Sequence, residues 1–187
     1  MSVLQEKKAL RATLKAVREG LNAELRRDAE AAICDMIASH EAFLHCDVFY
    51  TFFPVRGEID LTPLAVLARS LGKKVAYPLC VGSEMHFHLC SPEELLPGRF
   101  GIPSPPDTAP AAPNTARSLC LVPALAAAQD GSRLGYGGGF YDRFLPGFQG
   151  VTVLPIYHTL TCPTLPQEAT DVKPQLILTE KGVLYHG

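Results

Sequence analysis

The feature that most constrains the fold is an unbroken run of aromatic and β-branched residues at Val48–Phe53, VFYTFF, which ends at Pro54. A half-exposed strand would alternate apolar and polar residues, so this run predicts a strand covered on both faces. A helix is predicted next in DLTPLAVLARSLG, with Thr62 at the N-cap, Pro63 at the first helical position and Gly72 just past the end. The segment KVAYPLC follows as a second strand. This strand, helix, strand order is typical of a parallel sheet.

The segments around this unit predict more helices and strands in alternation. Two helices, broken near Gly20, are expected in the first forty residues, where an apolar stripe has helical spacing: Leu10, Leu14, Val17 and Leu21. Buried strands are expected at Ser118–Ala128, SLCLVPALAAA, and later in VTVLPIYH and QLILT. We therefore expect a three-layer α/β/α fold with a mostly parallel central sheet, Rossmann-like but without the dinucleotide fingerprint.

Length and composition indicate a single domain over residues 1–187. Apolar residues make up 47% of the chain, enough to fill a core, yet no apolar run is long enough to cross a membrane. The charged N-terminus lacks the apolar stretch of a signal peptide, so we expect a cytoplasmic protein whose six cysteines are reduced. A net charge of -2 gives no basic field for nucleic acid or an anionic membrane. The expected partners are small molecules, and the size predicts a monomer.

Residues 91–117 differ in character from the rest of the chain, because they contain seven prolines and no sustained period. This composition predicts a long ordered loop or a lid rather than a helix or strand. Loops of such length in compact domains are often functional, so we expect this one to lie near a binding site.

The glycine-rich segment Ser132–Leu145, SRLGYGGGFYDRFL, places four glycines within five positions. A strand, a glycine turn and a helix start in this order let backbone N–H groups converge on an anion. Arg133 offers a planar guanidinium for phosphate oxygens, and Asp142 offers a carboxylate that can hold Mg²⁺ between phosphates. The segment therefore predicts a nucleotide phosphate site, with a flexible turn as the alternative. It lacks the P-loop lysine and the third glycine of G-x-G-x-x-G, which argues against those two classes.

Four segments stand in one order along the chain: KKALR at 7–11, FPVRGEID at 53–60, LVPALA at 121–126 and RLGYGGGFYDRF at 133–144. Together they resemble the 5-formyltetrahydrofolate cyclo-ligase family, the methenyltetrahydrofolate synthetases, over Lys7 to Glu180. The resemblance implies an ATP- and Mg²⁺-dependent ring closure of 5-formyltetrahydrofolate to 5,10-methenyltetrahydrofolate, with release of ADP and phosphate. An iminophosphate intermediate is implied, because phosphorylation gives the formyl oxygen a good leaving group for attack by folate N10.

The resemblance also implies roles for individual residues. It places ATP binding at Lys7, Arg11, Arg133, Leu134, Gly135, Tyr136, Gly137, Gly138, Gly139, Phe140 and Tyr141. It places folate binding at Phe53, Glu58, Tyr136, Gly137, Gly138, Gly139 and Phe140, and Mg²⁺ binding at Asp142 and Asp171. Lys7 and Arg11 share a helix face at i and i+4, for which a solvated basic surface is the plainer alternative. For Glu58 the plainer alternative is an exposed loop carboxylate.

Two positions depart from the family pattern. Many members have a lysine where this chain has Gly138, so one phosphate contact is either absent or supplied by Arg143 or Arg56. Thr170 stands before Asp171, where members commonly have His or Asn. These departures leave room for a non-catalytic paralogue that binds folate or nucleotide.

Zinc binding is a third possible function, suggested by the alternating segment MHFHLC, which is predicted as an exposed or edge strand. His86, His88 and Cys90 would project from one face of that strand, and all three are residue types that bind zinc. A structural zinc site needs four ligands, and no fourth is evident in the sequence. A polar outer face is the simpler explanation.

Overall fold

The computed structural model describes residues 2–98 and 101–187. Its helices are α1 (Val3–Glu19), α2 (Ala23–Ser39), α3 (Glu41–His45), α4 (Thr62–Ser70) and α5 (Phe140–Phe144). Its strands are β1 (Val48–Tyr50), β2 (Lys74–Val81), β3 (Glu84–Leu89), β4 (Ser118–Leu121), β5 (Ala126–Ala128), β6 (Arg133–Leu134), β7 (Val151–Pro155), β8 (Thr161–Cys162), β9 (Leu176–Thr179) and β10 (Gly182–His186). The predicted loop at 91–117 includes a 3₁₀ turn at Pro92–Glu94, and its positions 99 and 100 lie outside the described residues.

Seven strands form the main sheet in the order β10-β9-β7-β4-β1-β2-β3. The five inner strands pair in parallel, and β3 and β10 add an antiparallel strand at each edge. The α/β class and the mostly parallel sheet are therefore confirmed, as is the edge position of β3. A second, three-stranded sheet has the order β6-β5-β8.

The central strand β1 is buried on both faces, which explains its unbroken apolar sequence. Phe49 packs edge-on against Phe43 of α3, with the ring centroids 5.4 Å apart. Tyr50 points to the opposite face, where its ring lies 4.9 Å from that of Phe87 and 5.1 Å from that of Phe148. Helices α2, α3 and α4 pack on the first face and α5 on the second. The sheet is thus covered by helices on both sides.

The break between the first two helices lies at residues 20–22, as predicted. Ser2 accepts a hydrogen bond from the Gln5 N–H, and the Gln5 side chain accepts one from the Ser2 N–H, which together form a capping box for α1. Asn22 caps α2 by accepting a hydrogen bond of 2.7 Å from the Glu24 N–H. Each helix therefore starts at its own polar cap rather than continuing the other.

The inward face of α1 differs from the predicted apolar stripe. Val17, a member of that stripe, is 42% exposed. The buried positions of the helix are Lys7, Leu14 and Arg18. Because two of these three carry positive charge, α1 turns a cationic face toward the rest of the protein.

Three predicted boundaries are wrong. The first strand ends at Tyr50 rather than at residue 53. The predicted strand Ser118–Ala128 is two strands, because the chain between β4 and β5 contains Pro123, which has no N–H for a sheet ladder. Thr62 is the first residue of α4 rather than its N-cap. The Asp60 side chain accepts a hydrogen bond of 2.9 Å from the Thr62 N–H and so satisfies the start of that helix.

All six cysteine thiols are free, as predicted. Burial raises the pKa of Cys46, Cys90 and Cys120 above the ordinary thiol value, so these three behave as small core hydrophobes. Across the ranges 2–98 and 101–187, no helix is both long and apolar enough to span a membrane.

Candidate active site

A large cleft opens where the order of the inner strands reverses. The chain leaves β1 and returns through α4 to β2 on one side, whereas β4 pairs with β1 on the other side. Ligands of open α/β sheets bind at such a reversal, outside the carboxyl ends of the strands. Phe53 and Glu58, which follow β1, and Pro123, which follows β4, line this cleft of about 1690 Å³.

The residues predicted as a site from the resemblance all line this one cleft. α1 contributes Lys7 and Arg11, and the loop after β1 contributes Phe53 and Glu58. The remaining members are Arg133, Leu134, Gly135, Tyr136, Gly137, Gly138, Gly139, Phe140, Tyr141, Asp142 and Asp171. The fold brings these segments together although Lys7 and Asp171 are 164 positions apart in sequence. Their individual roles stay predictions.

A tight turn at Val55–Glu58 presents the Glu58 side chain. Arg56 and Gly57 both have positive φ angles, 51° and 77°, as in a turn of type I′. The Glu58 N–H donates to the Val55 carbonyl at 3.0 Å, and the Val55 N–H donates to Glu58 Oε2 at 3.0 Å. The carboxylate therefore closes its own turn. A Cβ at position 57 would lie 2.3 Å from Arg26 Nη2, so the turn also needs glycine for space.

Glu58 is buried, with 9% of its surface exposed, which excludes the exposed loop carboxylate considered above. The Tyr136 hydroxyl donates to Glu58 Oε1, and Arg18 Nη1 lies 4.0 Å from the same oxygen. Burial raises the pKa of Glu58 above its ordinary value, although the hydrogen bonds from Tyr136 and Val55 and the charge of Arg18 oppose that shift. Burial and the nearby carboxylate also raise the pKa of Tyr136, so its phenol is neutral.

The glycine loop after β6 takes backbone conformations that favour glycine. Gly137 and Gly139 have φ angles of 95° and 67°. Arg11 Nε donates to the Gly135 carbonyl at 2.7 Å, and a Cβ at Gly137 would lie 3.3 Å from the Arg11 guanidinium carbon. Arg11 therefore packs on the loop rather than extending into solvent, which argues against the solvated basic surface.

Arg143 of α5 places a second arginine at the loop, next to the position where many family members have lysine. Its Nη2 donates to the Gly138 carbonyl at 2.9 Å and to the Ser83 carbonyl at 2.6 Å. Its guanidinium carbon lies 5.2 Å from the ring centroid of Phe140. Arg56, the other candidate for the missing charge, lies in the turn beside Glu58 instead. Arg143 is thus the better placed of the two.

Opposite charges are paired along this end of the cleft. Lys7 is 3% exposed, and its Nζ lies 2.5 Å from Asp171 Oδ2 and 2.8 Å from Glu168 Oε2. Burial alone would lower the pKa of Lys7, but its hydrogen bonds and charge interactions with Asp171 and Glu168 raise it above the ordinary value. Arg133 Nη2 lies 2.5 Å from Asp142 Oδ1. Lys7 therefore stays charged, and both cations keep an acidic partner, without a ligand.

Asp142 and Asp171 are chemically suited to hold Mg²⁺. Each carboxylate uses one oxygen for its ion pair: Oδ1 of Asp142 and Oδ2 of Asp171. The other oxygen of each makes no hydrogen bond to any residue that the structure describes. At phosphate sites Mg²⁺ takes one or two carboxylates and completes its shell with phosphate oxygens and water. The donor set thus fits a metal bound together with a phosphorylated ligand.

The zinc hypothesis gains no support from β3. His88 Nδ1 lies 2.7 Å from the Ala109 carbonyl oxygen, and the buried Cys90 thiol donates to the carbonyl of Ser91. His86 is exposed. Outside positions 1, 99 and 100, which the structure does not describe, no group of three or more His, Cys, Asp or Glu could hold a metal ion. His86 and the half-buried His88 belong to the polar face of the edge strand β3, whereas Cys90 lies beyond the end of that strand and is buried.

Some residues in the cleft, and some that support it from behind, were not predicted from the sequence. Arg18 could have been found, because it lies seven residues after Arg11 and eleven after Lys7, on the same face of α1. Glu168 had no local signal, since its partner Lys7 is 161 positions away. Part of the proline-rich loop also lines the cleft, including Leu96, Pro97, Ile102 and residues 104–108.

Comparison with known sequences identifies a family. A profile of the 5-formyltetrahydrofolate cyclo-ligase family matches residues 3–180. The protein of that name from Escherichia coli (strain K12) is 29% identical over 140 residues, which cover 71% of this chain and 77% of the relative. The protein of the same name from Haemophilus influenzae is 25% identical over 176 residues, or 90% of this chain and 94% of the relative.

Comparison with solved structures points the same way. The NMR structure of Aquifex aeolicus 5,10-methenyltetrahydrofolate synthetase matches with a TM-score of 0.83 at 30% identity, covering 95% of this chain and 91% of that one. A 5,10-methenyltetrahydrofolate synthetase from Mycoplasma pneumoniae matches with a TM-score of 0.72 at 19% identity, covering 94% and 99%. The second match shows a shared fold, and the first combines fold with sequence similarity over nearly the whole chain.

Proposed function

Because the chain belongs to the 5-formyltetrahydrofolate cyclo-ligase family, we propose that it converts 5-formyltetrahydrofolate to 5,10-methenyltetrahydrofolate with ATP and Mg²⁺. The observation that carries the proposal is one cleft that contains both a cation-lined glycine loop and the buried carboxylate of Glu58. A catalyst of this ring closure needs both features, since it must hold a nucleotide and a folate in contact with each other.

The chemistry requires activation of the N5-formyl group, because an amide oxygen is a poor leaving group. Its oxygen attacks the γ-phosphorus of ATP, ADP leaves, and the formyl carbon becomes part of an iminophosphate. The N10 lone pair then attacks that carbon, N10 loses its proton, and the C–O bond breaks as phosphate departs. The protein supplies position and charge for these steps rather than a covalent group.

On the ATP side, cationic side chains lie beside a glycine loop. Arg11 and Arg133 are the proposed contacts to phosphate oxygens, and this is supported by their position in the cleft lining beside that loop. Lys7 adds a third charge from α1. Arg143, which contacts the Gly138 carbonyl, supplies the charge that many relatives carry as lysine. Leu134 is buried in the core and contributes to the loop by packing.

The paired charges imply that nucleotide and metal bind together. When phosphates attract Lys7 and Arg133, the carboxylates of Asp171 and Asp142 lose their partners and face the phosphate charge. Mg²⁺ held by these two carboxylates and the phosphates would neutralise that negative charge and polarise the phosphoryl group being transferred.

Asp142→Asn is therefore expected to raise the Mg²⁺ concentration needed for half-maximal activity by about ten-fold or to abolish turnover. Asparagine Oδ1 can still accept the hydrogen bonds from Arg133 and the Val172 N–H, so the loop is expected to keep its shape. Magnesium titrations at saturating ATP measure the effect. Asp107→Asn, at an exposed residue that also lines the cleft, is the control. An unchanged magnesium dependence in Asp142→Asn would exclude its ligand role.

Gly137→Ala is expected to raise KM for ATP by about ten-fold. The φ angle of 95° is unfavourable for alanine, and its Cβ would crowd the Arg11 guanidinium at 3.3–3.5 Å. Steady-state kinetics with ATP varied measure the effect. Gly147→Ala is the matched control, because no atom lies within 4 Å of a Cβ there. Equal KM values for the two variants would contradict a role of the loop shape in ATP binding.

On the folate side, Glu58 is placed to accept N–H groups of the pterin or to face the formyl end. Phe53 and Tyr136 also line the cleft, and their rings offer surfaces for a flat heterocycle. The proline-rich loop contributes Leu96, Pro97 and Ile102 to the lining, which fits a covering element over a substrate.

The proposal is tested by mixing the purified protein with 5-formyltetrahydrofolate, Mg²⁺ and ATP and following methenyltetrahydrofolate by absorbance. ATP-dependent product is the expected result, with none in an ATP-free control. Absence of product with ATP binding intact would instead identify a non-catalytic folate or nucleotide-binding paralogue. The departures at Gly138 and Thr170 make that the second candidate.

A further inference from the structure

Arg18 is a buried cation that the mechanism above does not use. It lies on the inward face of α1 and is 1% exposed. Removing a guanidinium from water is strongly unfavourable unless it is paired and hydrogen-bonded. A residue kept in such a place has a structural or a functional reason, and its contacts distinguish the two.

The Tyr136 hydroxyl connects Arg18 to Glu58. Arg18 Nη1 donates to the Tyr136 hydroxyl oxygen, and that hydroxyl donates its own hydrogen to Glu58 Oε1. The Val55 N–H donates to the second oxygen, Oε2, at 3.0 Å. Both carboxylate oxygens are thereby fixed, and a positive charge stands 4.0 Å behind the one nearer to Tyr136.

The same contact fixes the ring of Tyr136. The Arg18 guanidinium carbon lies 5.3 Å from the ring centroid, so the arginine contacts the tyrosine at its hydroxyl and along its ring. Tyr136 nevertheless keeps 45% of its surface exposed and lines the cleft. The ring is thus held at one end and open at the other.

The remaining donors of Arg18 are incompletely satisfied, which is unusual for a residue that serves stability alone. Nε and Nη2 are buried and have no hydrogen-bond partner among residues 2–98 and 101–187. Beside Arg18 is a space of about 10 Å³, bordered by Phe52, Glu58 and Tyr157 among others. The orientation of the guanidinium is therefore set by its contacts with Tyr136 and Glu58, and not by hydrogen bonds from all of its nitrogens.

We propose that Arg18 is a positioning residue of the folate site, which acts through the Tyr136 hydroxyl to hold the Glu58 carboxylate and the Tyr136 ring in the arrangement that receives the pterin. This inference rests on the proposed function. The pterin has N–H donors for a fixed carboxylate and a flat face for an aromatic ring. Arg18 itself does not line the large cleft, so its effect would pass through Tyr136 and Glu58.

The test measures the dissociation constants of 5-formyltetrahydrofolate and of ATP separately, by calorimetry, for the wild type and its variants. Arg18→Met is expected to raise the folate constant by about ten-fold or more and to change the ATP constant by less than about two-fold. Arg18→Lys is expected to recover part of the loss, because an ammonium group can still donate to the Tyr136 hydroxyl. Lys15→Met, on the exposed side of the same helix, is the control.

Tyr136→Phe provides a second test that leaves Arg18 in place, in case Arg18→Met does not fold. It removes the connecting hydroxyl but keeps the ring and the loop backbone, so it is expected to weaken folate binding more than ATP binding. Equal losses for both ligands, or no rescue by Arg18→Lys, would show a structural role only and overturn the inference. Unchanged folate binding in a folded Arg18→Met protein would do the same. A wild type that binds no 5-formyltetrahydrofolate would overturn the proposed function itself.

Discussion

Replacing Arg133 by alanine is expected to lower kcat/KM for ATP by on the order of 100-fold, with KM for 5-formyltetrahydrofolate within about two-fold of wild type. Arg133 is buried, its Nη2 lies 2.5 Å from Asp142 Oδ1, and its Nε donates to the Val172 carbonyl at 3.0 Å. Alanine removes one cation from the proposed nucleotide side of the cleft and leaves the Asp142 charge unbalanced. Both changes make this part of the cleft more negative, which would disfavour a polyphosphate there.

Two further variants separate the effect of charge from that of geometry and provide a control. Arg133→Lys keeps the charge but loses the planar fork, so an intermediate loss is expected if geometry contributes as well as charge. Arg117→Ala breaks an ion pair of similar length with Asp47, 2.6 Å, but on the exposed surface, where little effect on activity or stability is expected. Steady-state kinetics with ATP varied, together with thermal unfolding of each variant, measure the outcome. A wild-type ATP constant in Arg133→Ala would remove this residue from the nucleotide site.

The central part of the fold was predictable because local sequence determines it. The apolar run of β1, the helix α4 and the strand β2 form one unit in which the composition of each element matches its burial. The break at residues 20–22 was also visible, since Gly20 follows the end of the first helix and Asn22 caps the second. In both cases neighbouring residues carry the information.

Elements that depend on distant partners could not be predicted. β6 and β8 are two residues long and exist because they pair with β5 in a second sheet. The burial of Lys7 on α1 was not predicted either, because this lysine is paired with two acidic residues more than 160 positions away. Hydrophobic periodicity cannot identify a buried cation whose partners lie so far along the chain.

The candidate site was predicted by composition in one half and by the resemblance in the other. The glycines and charges of the segment after β6 indicate an anion site without further knowledge. The carboxylate of Glu58, by contrast, lies in the turn after β1, where composition alone indicates no site, and its link to Arg18 through the Tyr136 hydroxyl has no signature in the sequence. Side-chain contacts of this kind become visible only when the fold brings helix, turn and loop together.

Glu58→Gln is expected to lower kcat/KM for 5-formyltetrahydrofolate by about 10- to 100-fold and to leave KM for ATP within about two-fold. The carboxylate accepts from the Tyr136 hydroxyl on one oxygen and from the Val55 N–H on the other. An amide has one oxygen only, so one of these donors loses its acceptor. The substitution also removes the negative charge nearest to the buried Arg18 cation. The pterin would therefore meet a misaligned and uncharged acceptor.

Kinetics with each substrate varied in turn separate this effect from that of Arg133→Ala. Glu58→Gln is expected to change kcat/KM for 5-formyltetrahydrofolate, whereas Arg133→Ala is expected to change kcat/KM for ATP. Glu58→Asp retains charge on a shorter side chain and is expected to keep more activity than the amide if charge dominates. Glu93→Gln, at an exposed carboxylate paired with Arg69 at 2.9 Å, is the control. If Glu58→Gln instead raised KM for ATP as much as that for folate, Glu58 would shape the cleft as a whole rather than its folate side. If each variant instead changes the constants of one substrate only, Glu58 belongs to the folate side of the cleft and Arg133 to the ATP side.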